Sequence, residues 1–414
     1  MPQMFIFLIS VSGYGYVPSK FGLGIIIPVE KGATLDSSKS DNYRGITLSS
    51  NLSKLFEMCL LELYGSYLLT SDLQFGFKKG LGCSHALLAV RSVVDYFTNH
   101  GSSVNLCALD MSKAFDKVNH YALFSKLMDR SVPREFLCIL ISWYSMSAAY
   151  VRWDNMLSDM ISLVCGVRQG GVLSPVLFAI YVNDIIEKLS RSNHGCRIGE
   201  LFLGCIMYAD DLMLMSASLC DLQAMVGICI EELECIDMML NVKKSQVMRI
   251  GSSFCTVCKP ISVNSVQIDY VEKLKYLGCF FVSAKTFKVS LHEMRVKFYK
   301  SFNSLYSKCC KFTEPVLLHL VSTHCKPFLL YGMEAVSLNN SELSTLNYTY
   351  SNAICKIFKV SHVSVDDILH FTQEPNIKDC WMARRIRLFQ RGPIIGNTCV
   401  NFVCGLLSTL HKLC

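Results

Sequence analysis

Nowhere does this 414-residue chain carry an uncharged run long and smooth enough to span a bilayer, although 51% of its residues are hydrophobic and mean hydropathy is +0.34. The uncharged stretches at residues 1–19 and 136–151 are interrupted by Gly, Ser, Tyr or Pro or are too short. A membrane partner is therefore not expected. Residues 4–11 have the apolar character of a secretory core, but no Lys or Arg precedes them and no clear small-residue cleavage site follows, so secretion is not expected. Internal repeats and low-complexity linkers are also missing. The 21 cysteines lack the even spacing of a disulfide framework. They sit inside apolar runs such as CIMY and FLCIL, where a free thiol behaves as a small hydrophobe, so an intracellular, reducing compartment (nucleus and cytoplasm) is the expectation. Cys255-x-x-Cys258 has no second pair at zinc spacing, and the set Cys399, Cys404, His411 and Cys414 fits no zinc-finger spacing.

Set in the apolar run CIMYADDLMLM, the stretch Tyr208-Ala209-Asp210-Asp211 interrupts what otherwise reads as two buried strands, residues 201–208 and 212–217. Burying one unpaired carboxylate costs several kcal/mol, so two at the turn of an apolar hairpin call for a compensating cation. A close carboxylate pair joined by a third from elsewhere is the donor set of two-metal phosphoryl transfer. Asp110 is the candidate third: it closes the strand-like segment SVNLCALD and is followed by MSKAFDKVNH. Between these segments lies GVRQGGVLSPVLFAIYVNDI, residues 166–185, a Gly-rich turn running into an apolar helix that Ser174-Pro175 would start.

In that order and wording, the three blocks resemble motifs A, B and C of reverse transcriptases, in the manner of the non-LTR (LINE-type) retrotransposon branch. The resemblance extends over about residues 15–360. It implies an α+β right-hand polymerase: fingers over residues 1–105, a palm of antiparallel sheet and helices over 106–283, a helical thumb over 284–360, and a basic extension over 361–414 with no assigned role. The implied activity is RNA-directed DNA polymerisation. It would use an RNA template, a DNA primer and deoxynucleoside triphosphates, with two Mg2+ ions, or Mn2+ in their place, held by Asp110, Asp210 and Asp211. Side chains alternate along a strand, so Asp210 and Asp211 both face the ions only if the turn twists the chain between them.

By the same resemblance, Lys31 and Arg44 of the fingers would meet the triphosphate. The family's YRPISL reads Tyr43-Arg44-Gly45-Ile46-Thr47-Leu48 here, and Gly45 loosens the backbone at that point. Phe115, five residues after Asp110, would stand under the sugar and exclude a 2′-hydroxyl; packing in the core is its plainer role. Gln169 and Gly170 would let the backbone approach the templating base pair, with Gly171 where relatives carry another small residue. A helix over residues 221–240 is expected to end before Asn241-Val242-Lys243-Lys244-Ser245, which resembles motif D, with Lys244, or Lys243 by register, as proton donor to pyrophosphate. YVEKLKYLGCFFVS resembles the primer-grip hairpin, with Leu277 and Gly278 at its tip, and KPFLLYGMEAVSL, residues 326–338, is similar to a segment that follows the thumb.

Net charge is +7 and the isoelectric point near 8.5, so distribution matters more than total. Residues 285–311 carry seven Lys or Arg, Lys297 and Lys300 among them, against the single acid Glu293, and residues 378–391 add a cluster around ARRIRLFQR. Beside polymerase motifs, such clusters read as phosphate-tracking surfaces. Three readings compete: an active retrotransposon polymerase, a truncated or domesticated relative that binds RNA without polymerising, and a group II intron maturase or telomerase-like enzyme. The wording LDMSKAFDKVNH and YADDLMLM argues against the third. Truncation is read in favour of the second: the chain begins almost at the fingers, so an endonuclease, a terminal knuckle and a separate RNase H region are not expected in it. Oligomeric state is not legible.

Overall fold

The computed structural model describes residues 17–32 and 36–411, so residues 4–11 and Cys414 lie outside it. The chain divides into two compact units: residues 1–77, 110–193 and 225–241, and residues 78–109, 194–224 and 242–414. Among the described residues no helix is long and apolar enough to cross a membrane. The described cysteines are all free: Cys107, Cys196, Cys205, Cys229, Cys279, Cys325, Cys399 and Cys404 are buried and pack as small hydrophobes, whereas Cys138 of the run FLCIL is exposed, contrary to the sequence expectation.

The first unit is built on a five-stranded sheet. Leu23–Glu30 pairs antiparallel with Tyr43–Leu48, from Ile25 opposite Leu48 to Glu30 opposite Tyr43, and parallel with Ala148–Trp153. Around it lie the helices Asn51–Tyr64, His120–Asp129, Arg134–Ser145, Ser174–Tyr181 and Asn183–Arg191. Ser50 starts the first of these as a cap, its hydroxyl accepting the Ser53 N–H at 3.1 Å. Phe21, Phe56 and Trp143 form its aromatic core, with Phe56 and Trp143 ring centres 5.4 Å apart and the indole N–H donating to the Phe21 carbonyl at 3.1 Å.

The second unit holds a five-stranded sheet in the order Asp269–Tyr270, Gln246–Ile250, Val104–Asp110, Asp211–Ser216, Cys205–Tyr208. Val104–Asp110 is its central strand and is buried almost throughout, as the apolar run over residues 106–109 predicts, the polar Asn105 being satisfied by the Ser216 and Ala217 carbonyls. Helix Cys83–Asn99 buries Ala86 to Val94 in this unit. A three-stranded sheet follows, Lys273–Tyr276, Cys279–Val282 and Lys288–Val289, and from Leu291 the chain is helical. Mixed sheets and helices make the α+β class expected from the sequence.

Two boundaries differ from the sequence expectation. The strand over residues 201–208 is broken into Leu201–Phe202, which pairs with Arg197–Ile198 in a sheet of its own, and Cys205–Tyr208. The helix over residues 221–240 is Leu219–Glu234 and stops six residues early. Asp237 takes a left-handed φ of 55°, and Leu240 then forms a β-bridge with Met111. The amide-to-carbonyl bonds Ser112 to Met239, 3.0 Å, and Asn241 to Asp110, 2.8 Å, claim groups that a longer helix would have used internally.

Candidate active site

Asp110 is the last residue of the central strand Val104–Asp110. Asp210 lies in a two-residue turn between Cys205–Tyr208 and Asp211–Ser216, closed by the pair Tyr208 and Asp211. Ala209 supplies the reversal with φ 57°, a left-handed value that costs a non-glycine residue free energy and marks a turn held by its surroundings. The strands carrying Asp110 and Asp211 are neighbours in the sheet. At the other end of these strands, the Asn105 side-chain amide donates to the Ser216 and Ala217 carbonyls at 3.1 and 3.3 Å. The first residues of one strand thus lie against the last of the other, and their acidic ends leave the same edge of the sheet.

Among the described residues, no group of three His, Cys, Asp or Glu side chains forms a metal site on its own.

The motif B turn is built by residues far apart in sequence. Gly170 has φ 121°, and a Cβ there would lie 2.7 Å from the Thr47 carbonyl oxygen. Close approach to the 43–48 strand is what glycine permits, and the Thr47 N–H donates to the Gln169 carbonyl at 2.7 Å. The Gln169 side-chain amide donates to Asp116 at 2.9 Å. Beneath the turn, the buried Glu57 carboxylate accepts the N–H groups of Val172 and of Leu173, the latter at 2.7 Å, just where helix Ser174–Tyr181 begins. A negative charge is favoured there by the helix dipole. Burial pushes the Glu57 carboxyl above its ordinary range; the two amides, Arg168 and Lys54 pull it partly back. A Cβ on Gly171 would lie 3.2 Å from Glu57 Oε2, so glycine here leaves room for the cap. Arg168 donates to the carbonyls of Phe21, at 2.8 Å, and Gly22. Sequence reasoning passed over Glu57; the signal available was an acid in an otherwise apolar helix stripe.

Arg44 stands opposite Val29 in the hairpin, and Lys31 directly follows the last strand residue, Glu30. The Lys31 ammonium donates to the Asp41 carbonyl at 2.7 Å, and Lys113 pairs with the Asp41 carboxylate at 2.6 Å. Gly45 does not loosen a loop, as the sequence suggested. It lies inside strand Tyr43–Leu48 opposite Pro28, where the ladder fixes it. Phe115 stacks on Phe178 with ring centres 4.5 Å apart and meets Phe77 edge-on at 6.0 Å, so it is half-buried with one side built into the core.

In the second unit, Leu277 and Gly278 form the turn between Lys273–Tyr276 and Cys279–Val282 with φ of 45° and 79°. The Tyr276 hydroxyl donates to the Ile206 carbonyl at 3.2 Å, tying this hairpin to the strand that leads into the Tyr208 turn. Lys243 and Lys244 are exposed in the turn before Gln246–Ile250. In helix Leu291–Cys309, Met294, Phe298 and Phe302 are buried while Lys297, Lys300 and Lys308 are exposed. Arg295 departs from the expected basic face: its Nε donates to Thr349 at 3.1 Å. The 378–391 cluster is likewise less of a surface than expected. Arg385 is buried and donates to the Val336 carbonyl at 3.0 Å, and Arg384 donates to Leu330 at 3.4 Å.

Residues 31–281 match the family described as reverse transcriptase (RNA-dependent DNA polymerase). A retrovirus-related Pol polyprotein from the type-2 retrotransposable element R2DM of Drosophila melanogaster is 26% identical over 277 residues, covering 65% of this chain and 26% of that protein. A probable RNA-directed DNA polymerase from transposon BS of the same organism is 26% identical over 334 residues, covering 77% of this chain and 36% of that protein. The chain thus spans about a quarter to a third of the length of these relatives. A solved telomerase from Candida albicans, in complex with a fragment of telomeric RNA, superposes with a TM-score of 0.49 at 13% identity, covering 89% of this chain and 68% of that one.

Proposed function

Because the chain belongs to the reverse transcriptase (RNA-dependent DNA polymerase) family, in its non-LTR retrotransposon branch, we propose that it extends a DNA primer on an RNA template with deoxynucleoside triphosphates. The observation that carries this reading is the sheet: the strand ending in Asp110 lies beside the strand that Asp211 opens, with Asp210 in the adjoining turn. Two Mg2+ ions held by Asp110, Asp210 and Asp211 would supply the charge neutralisation that phosphoryl transfer requires, Mn2+ being able to replace them. The protein's own part is positioning. Gly170, pressed against the Thr47 carbonyl, leaves the motif B backbone open to the templating base pair. Arg44 and Lys31 offer positive charge to the triphosphate, Arg44 by the bidentate contact that a guanidinium makes. Phe115, braced by Phe178, presents a flat wall to the sugar. Lys244, or its neighbour Lys243, offers a proton to the leaving pyrophosphate.

In this reading the fingers, palm and thumb follow the 1–105, 106–283 and 284–360 partition, and Lys297 and Lys300 follow the phosphates of the template and primer. That the described cysteines are all free supports an intracellular site of action, in the nucleus and cytoplasm. The test is primer extension on an RNA template with magnesium, using the wild-type chain and Asp110→Asn and Asp210→Asn. Template-directed products that fall by about a thousandfold or more in either variant support the reading, since several kcal/mol of transition-state charge stabilisation would be lost. A wild-type chain that binds RNA but extends no primer supports instead an RNA-binding relative.

A further inference from the structure

The segment that follows the thumb-like helices, residues 331–337, is gripped along its length within the second unit. The Trp381 indole N–H donates to the Met333 carbonyl at 2.8 Å, Arg91 to the Ala335 carbonyl at 3.0 Å and Arg385 to the Val336 carbonyl at 3.0 Å. Ser84 donates to Glu334. Gly332, with φ 72°, fits where a Cβ would lie 2.8 Å from Cys279 Sγ and 2.9 Å from Leu87 Cδ1. Side chains from two helices thus fix this strap, and its first residue is Tyr331.

Tyr331 reaches the Leu277–Gly278 turn. Its hydroxyl donates to the Leu277 carbonyl at 3.1 Å, and a Cβ on Gly278 would lie 3.0 Å from its ring, so the ring lies against the turn's backbone. Leu277 needs that support, because a left-handed φ of 45° is unfavourable for a branched residue that could relax to an extended form. The Tyr276 hydroxyl, one residue before this turn, donates to the Ile206 carbonyl at 3.2 Å, so the same hairpin is tied to the strand leading into the turn that carries Asp210.

We propose that Tyr331 is a positioning residue for primer binding: anchored by the strap, it holds the Leu277–Gly278 turn in the conformation that meets the primer end, at a set place beside the Tyr208 turn. The proposal rests on the polymerase reading for the identity of the ligand. A residue held on a rigid element fixes its contact better than one on a free loop. Tyr331→Phe keeps the ring against Gly278 and removes only the bond to Leu277, so the fold is preserved while the turn loosens.

The experiment measures binding of a DNA primer annealed to RNA, by fluorescence anisotropy without nucleotide, together with amide exchange over residues 276–279 and the KM values for primer and nucleotide. The expected result for Tyr331→Phe is a primer–template Kd and KM raised about fivefold, the scale of one neutral hydrogen bond, with faster exchange at the turn and a smaller change in nucleotide KM. Wild-type duplex affinity in the variant overturns the proposal, as does an equal rise in both KM values. A wild-type chain that binds the duplex and extends nothing removes the polymerase reading, and the affinity and exchange comparison still decides the role of Tyr331. Absence of duplex binding by the wild type overturns both.

Discussion

Glu57 and Leu173 lie 116 residues apart in the chain, yet the carboxylate of one accepts the backbone N–H of the other at 2.7 Å. The same oxygen takes the Val172 N–H, so one acid ends the RQGG turn and begins the following helix. Glu57→Ala leaves two buried amides without a partner and is expected to cost about 1–3 kcal/mol, read by denaturant unfolding at pH 7. Glu57→Gln keeps one carbonyl oxygen able to accept both and is expected to stay within about 1 kcal/mol of wild type.

The same carboxyl sets a pH dependence. Burial raises its folded pKa above the ordinary 4.5, so the unfolded chain gives up this proton more readily than the folded one. Its contribution is complete below pH 4.5 and declines as pH rises through the folded value. The difference in unfolding free energy between wild type and Glu57→Gln should therefore shift against wild type as pH rises from 4.5 toward neutrality. A difference that stays flat across that range would show that the two amides and Arg168 fully offset burial.

Gly170→Ala tests the approach of the turn to the 43–48 strand. With φ 121° and a Cβ 2.7 Å from the Thr47 carbonyl oxygen, alanine must displace the turn, at a strain of about 1–3 kcal/mol. Primer extension should fall by about tenfold or more while the melting temperature drops only modestly, because displacement near reacting groups is felt more in rate than in fold. Unchanged extension would mean that the turn tolerates the shift and does not meet the base pair.

Phe115→Val should raise ribonucleotide incorporation relative to deoxynucleotide. Since the ring stacks on Phe178 at 4.5 Å, stability should also fall by about 0.5–1.5 kcal/mol beyond the lost burial. An unchanged sugar ratio in a folded, active variant assigns Phe115 to the core alone.

Lys297 and Lys300 are exposed on a helix that buries Met294 and Phe298. Replacing both by Ala should flatten the slope of log affinity against log salt by about one to two units and weaken duplexes of unrelated sequence alike. Arg295→Ala should leave the slope unchanged and lower stability instead, because its guanidinium is bonded to Thr349. An unaltered slope in the double variant would remove the helix from the nucleic-acid path.

What the sequence determined by itself is what local pattern carries. An apolar run over residues 106–109 made the central strand end at Asp110, an acidic pair between two apolar runs made the Tyr208 turn, and Ser-Pro began the helix at Ser174. Motif order carried the family. Only the tertiary structure decided which polar groups face which. Arg295, Arg384 and Arg385 look like members of basic surfaces in the sequence, but each donates to a partner more than forty residues away. The helix expected through Leu240 ends at Glu234 because Leu240 and Asn241 are claimed by Met111 and Asp110. Glu57 is one acid among many until Leu173 arrives beside it. Periodicity fixes the face a residue occupies; a hydrogen bond between distant segments depends on packing that no local window contains.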